Sequence, residues 1–235
     1  MPDLTKALRY RKPHVKKAFH RFTSYWLTDA SFVLLFFILL FLVFVLPILI
    51  EYEYIGPVFV SVTFLFLFFT GIWSSREPTL IILTTTLFIC QLTLRIIRFG
   101  PTSAEYYNVE LFVGLANMVV FIFVNFRLLF RDNEVNLYRV FGAVNVYLLM
   151  AVLGAYVLEL VHIYTGSSIE GSRPLTGTEL DFPEYVYFSL VSLTTVGYGD
   201  IVAVNIVARM VAVFLSTVGI LYPAVVIAKL VSSSK

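Results

Sequence analysis

The sequence predicts an all-α membrane protein with six spanning helices and one shorter helix that enters the membrane and turns back. Three observations carry this. Of 235 residues, 59% are hydrophobic and 14% charged, too few polar side chains to clothe a soluble core. Six apolar stretches reach the roughly 20 residues a helix needs to cross lipid, which offers no partners to backbone amides and carbonyls. A seventh apolar segment is too short to cross and stops at a glycine-rich turn.

The six stretches cover about 31–50, 55–73, 79–97, 108–130, 138–164 and 204–231, and the short segment covers 183–194. Asp181 followed by Pro183 suits the first turn of a helix, so the short segment has a start signal. Non-helical backbone at membrane depth survives only where protein buries it or where it lines water. The expected shape is therefore a re-entrant hairpin, in as a helix and back as an extended strand. The single cysteine, Cys90, lies within an apolar run and reads as a small packing residue; it can build neither a disulfide framework nor a thiolate metal cluster.

Seven of the 17 lysines and arginines precede the first span: Lys6, Arg9, Arg11, Lys12, Lys16, Lys17 and Arg21. If six helices alternate, Arg76, Arg127, Arg131, Arg139, Lys229 and Lys235 share their side, which places both termini in the cytoplasm. Glu51, Glu53, Glu170, Glu179, Asp181, Glu184 and Asp200 collect opposite, although Arg95, Arg98, Arg173 and Arg209 fall there too. Val15, Ala18, Phe19, Phe22, Tyr25 and Trp26 repeat at helical spacing, with Lys16, Lys17, His20 and Arg21 between them. Two readings stand open for residues 1–30: an amphipathic helix on anionic lipid, or a basic tail that sets topology. The absence of a small-residue cleavage site behind the first span argues against a removable signal peptide. Nothing supports nucleic-acid binding, and no nucleophile motif, metal-ligand cluster or phosphate loop points to an enzyme.

The chemistry lies in Thr194-Thr195-Val196-Gly197-Tyr198-Gly199-Asp200. A dehydrated monovalent cation needs replacement oxygens, and backbone supplies them only if consecutive carbonyls face one axis. Gly197 and Gly199 permit this, because without Cβ they adopt angles closed to other residues. Val196 and Tyr198 then point away as anchors, and the Thr195 hydroxyl adds an oxygen at the inner end. This stretch resembles the filter of potassium channels, whose TVGYG loops replace the hydration shell of the ion. The resemblance covers about 138–231, with a pore helix upstream and a spanning helix on each side.

The resemblance implies a homotetrameric pore passing K+ at Thr195, Val196, Gly197 and Tyr198, bounded by Gly199, Thr194 and Asp200, with no other cofactor. Asp200 would concentrate cations at the outer mouth. The pore helix would aim its carbonyl end at the central cavity, and Tyr187 and Phe188 would form an aromatic cuff. Val191 stands where some bacterial relatives carry a glutamate paired with the aspartate after the filter, so that carboxyl pair is missing. Glu159 takes the place of a glutamate that bonds the linker behind the filter, and His162 reports external pH only if exposed. Gly219 and Pro223 interrupt the last helix as candidate gating hinges, or as a fixed kink that widens the inner mouth.

Six helices with the pore in the last pair is the layout of voltage-gated channels. A sensor needs several basic residues every third position, because each charge crossing the field supplies about 2.3 kcal/mol per 100 mV. The fourth stretch has Glu110, then no charge until Arg127, with Arg131 beyond. Arg95 and Arg98 have the right spacing but read as snorkelling anchors at the edge of the third stretch. The expected organisation is a basic cytoplasmic segment (1–30), a four-helix sensor-like domain (31–131), a pore domain (138–231) and a short cytoplasmic tail (232–235), with little intrinsic voltage dependence. If the chain is complete, no regulatory module follows the pore, and regulation falls to lipid, a partner, pH or the filter. The competing functions are a potassium-uptake transporter, whose four pore loops usually share one long chain, and a non-conducting partner subunit.

Overall fold

The computed structural model describes residues 32–74, 77–98, 106–129, 137–171 and 173–232. The basic segment of residues 1–30, together with Arg76, Arg131 and Lys235, lies outside the described residues. The helices are α1 (Phe32–Glu51), α2 (Pro57–Ser74), α3 (Pro78–Arg98), α4 (Tyr107–Leu129), α5 (Leu137–Thr165), α6 (Phe182–Leu193) and α7 (Ile206–Ser232). Five of them, α1, α3, α4, α5 and α7, have the length and apolarity to cross a membrane; α2 is apolar but shorter. The six full spans expected from sequence are thus five long helices and one shorter one. The arrangement is that of an integral membrane protein.

Local chemistry accounts for the irregularities. Pro47 cannot donate to the carbonyl four residues back, and the preceding turn of α1, Phe41–Val45, widens into a π-turn in which the Leu46 amide donates to the Phe41 carbonyl. Leu35, Leu39, Leu42 and Leu46 repeat at helical spacing and are buried, which gives α1 one core-facing stripe. Asn145 of α5, fully enclosed, donates to the Phe32 carbonyl at 2.7 Å. Phe64 of α2 packs edge-on against Tyr156 of α5 and Phe182 of α6, with ring centroids at 5.4 and 5.1 Å.

Ion pairs show which helix ends lie together. Arg173 reaches Glu51 at 2.7 Å, and Arg98 reaches Glu179 at 2.6 Å, so the ends of α1 and α3 meet the loop before α6. Arg127 and Glu77 pair at 2.7 Å at the opposite end. The arginines that blurred the charge bias are therefore neutralised locally. One strand pair, Ile169–Glu170 (β1) and Val202–Ala203 (β2), is antiparallel, with Ile169 opposite Ala203, and joins the loops on either side of α6. Cys90, expected to pack inside, is exposed on α3 in the single chain.

Candidate ion pathway

The re-entrant segment begins with a 3-10 turn, Glu179–Asp181, that runs directly into α6. Thr178 and Asp181 form a capping box around this turn. Asp181 precedes α6 but does not cap it. Its buried carboxylate instead accepts from the amides of Thr176 and Gly177 at 2.7 and 2.6 Å and from the Thr176 hydroxyl at 2.9 Å. Pro183, in the first turn of α6, gives up an amide that would have had no helical partner there.

At its other end α6 stops at Thr194, and the chain changes handedness. Thr195 has φ of 60°, Gly197 57° and Gly199 80°, while Val196 and Tyr198 between them keep negative φ. In an ordinary strand successive carbonyls alternate sides; alternating the sign of φ is what permits them to share one. Glycine adopts such angles freely. A β-branched threonine does not, and Thr195 carries about 1 to 3 kcal/mol of backbone strain. Sequence reasoning anticipated the glycines and missed Thr195, which no composition signal marks. Its conformation is held by bonds from the Thr195 amide to the Ser192 carbonyl at 3.0 Å and from the Val196 amide to the Val191 carbonyl at 3.1 Å.

The end of α6 is gripped by its neighbours. Ser216 of α7 donates to the Ser192 carbonyl at 2.9 Å, and Tyr147 of α5 donates to the Leu193 carbonyl at 3.2 Å. Gly219 lies against that same Leu193 carbonyl, where an added Cβ would sit 1.7 Å from the oxygen. Gly219 therefore serves close approach of backbone to backbone. Pro223, four residues on, has no amide to give the Gly219 carbonyl, so both residues singled out as hinges act at one turn of α7. The helix continues through both, from Ile206 to Ser232. On the α5 side, Ser189 donates to the Ala151 carbonyl at 2.6 Å where Gly154 leaves room.

Beyond the glycines, Tyr187 of α6 donates to the Asp200 carboxylate at 2.5 Å. That bond holds the Asp200 carboxyl below its ordinary range. Tyr187 thus occupies the aspartate that the missing glutamate at Val191 would otherwise meet, while Phe188 is buried in the core. Asn205 caps α7 by accepting from the Ala208 amide at 2.8 Å and also donates to the Thr165 hydroxyl at 3.0 Å. The outer ends of α5 and α7 are tied together in this way.

Two other sequence readings are corrected. Arg95 and Arg98 do not snorkel; both are buried and pair with Glu110 of α4. They turn inward because a carboxylate from the next helix and another from the pore loop wait there, and removing one partner from such a buried pair costs about 3 to 5 kcal/mol. Glu159 does not reach the linker behind the filter. It accepts from the Tyr107 hydroxyl of α4, so it joins the sensor-like half to α5. His162 is half-buried, its Nδ1 enclosed and its ring beside Tyr185 at 6.4 Å.

Residues 146–233, from within α5 to the end of α7, match a family model described as an ion channel. This stretch is an ion-channel domain. No curated protein and no solved structure matches the chain. Every element of the channel site so far described, from Tyr147 through the filter-like stretch to Pro223, falls within the matched residues. The four helices before it lie outside the match.

Proposed function

We propose that this chain is one subunit of a potassium-selective channel that conducts as a homotetramer in the cell membrane, with both termini cytoplasmic. The observation that carries the reading is the backbone alternation at Thr195, Gly197 and Gly199, set at the carbonyl end of a short buried helix. Thr195, Val196, Gly197 and Tyr198 would coordinate the ion, with Gly199 and Asp200 at its outer mouth. The pore domain works passively, without a cofactor beyond the permeating ion. Electrostatic concentration of cations by Asp200 and exchange of hydration water for carbonyls supply the mechanism.

Assembly follows from geometry. One strand cannot surround a cation, and in the single chain Val196 and Tyr198 are 51% and 73% exposed. Ile206, Met210, Val213, Phe214, Ile220 and Leu221 of α7 are exposed as well, an apolar surface suited to sister helices and lipid.

Little intrinsic voltage dependence is expected. Within α4 the charges are Glu110, clamped by two arginines, and Arg127, paired with Glu77. Neither is a row of cations free to move through the field. The test is flux of K+, Rb+ and Na+ through purified protein in liposomes. Uptake of K+ and Rb+ with exclusion of Na+ is expected; silence of the purified chain supports a partner subunit, and uphill accumulation supports a transporter.

A further inference from the structure

Arg98 is the last residue of α3, buried at 9% exposure, and its one guanidinium touches three other parts of the chain. Nη1 and Nη2 fork onto the two carboxylate oxygens of Glu179 at 2.6 and 2.7 Å. Nη2 also donates to Ser61 of α2 at 3.1 Å. Nε pairs with Glu110 of α4 at 3.0 Å, and the group lies 5.1 Å from the centre of the Tyr107 ring. Arg95, one turn earlier, takes the other oxygen of Glu110. Glu179 opens the 3-10 turn that continues unbroken into α6, and α6 ends at the strained Thr195.

We infer that Arg98 is a positioning residue through which the first four helices set the conformation of the filter, by holding Glu179 at the head of the pore helix. Bidentate pairing fixes both distance and orientation, which a single bond to lysine would not. Rigid α6 carries that placement to its far end, where Ser192 and Leu193 are held by α7 and α5. Any movement of α3 against α4 must break or drag the fork. A helix bundle without sensor charges thereby keeps a direct grip on the pore at its outer end. This inference rests on the potassium-channel reading.

The test is a double-mutant cycle on tetramers in liposomes, with Arg98→Lys, Glu179→Gln, the pair together, and Ser61→Ala as the contact on the far side of the same guanidinium. Each single change is expected to raise the Na+/K+ flux ratio by about tenfold, with the double no worse than either single. Ser61→Ala is expected to leave the ratio as in wild type. Additive effects, or wild-type ratios in both single variants, overturn the inference. A second measurement needs no variant: coupling is reciprocal, so exchanging K+ for Na+ must shift the side-chain NMR resonances of Arg98 as well as the backbone signals of Thr195 to Gly199. If the filter signals respond and Arg98 does not, the inference fails alone. If the filter signals do not respond, the potassium reading fails and takes the inference with it.

Discussion

Replacing Gly219 with alanine separates a packing role from a hinge. The added Cβ would stand 1.7 Å from the Leu193 oxygen, 2.7 Å from its carbonyl carbon and 3.3 Å from its Cα. Carbon and oxygen in ordinary contact need about 3.3 Å, so α7 and the end of α6 must separate by roughly 1.5 Å. No rotamer relieves the clash, because the obstacle is backbone. Overpacking commonly costs about 1 to 3 kcal/mol, and a backbone obstacle places this case at the upper end. The shift also pulls the Leu193 carbonyl from the Tyr147 hydroxyl, adding about 1 kcal/mol. Because Leu193 is two residues from Thr195, selectivity should suffer along with stability. The assay is thermal dissociation of the purified tetramer beside Rb+ and Na+ flux. Gly219→Ala should dissociate at lower temperature and admit Na+. A variant with wild-type stability and selectivity but altered open probability would refute the packing argument and restore the hinge.

Pro223→Ala supplies the amide that the Gly219 carbonyl lacks, so α7 should straighten; lower open probability with unchanged selectivity is expected in single-channel recordings. Tyr187→Phe removes the donor that holds the Asp200 carboxyl low. The ionised form is favoured above the lowered value, so without that bond proton inhibition of the conductance should begin at a higher pH, read from a pH titration of single-channel current. Arg127→Gln breaks an exposed pair with Glu77, worth about 0 to 1 kcal/mol, and a conductance-voltage curve as shallow as wild type is expected. A steep wild-type curve carried by several elementary charges would contradict the reading of α4 as an unmoving helix.

The sequence by itself determined the helices to within a few residues, because the length of an apolar run is a local property that lipid reads directly. The heptad from Thr194 to Asp200 is local in the same sense, since the handedness that Gly197 and Gly199 permit is written in their missing side chains. Thr195 shows the limit: nothing in a threonine announces a positive φ, and the bonds from its own and the Val196 amide back to α6 impose it. Arg95 and Arg98 show the same limit at longer range. As residues on an apolar helix they look like surface anchors, yet Glu110 and Glu179 lie 15 and 81 positions from their partners. Gly219 could not be told from a bend by sequence, because what forbids a side chain there is the Leu193 carbonyl of another helix. Periodicity and backbone permission travel along the chain; the sign of a φ, the partner of a charge and the space beside a glycine belong to whatever the fold brings next to them.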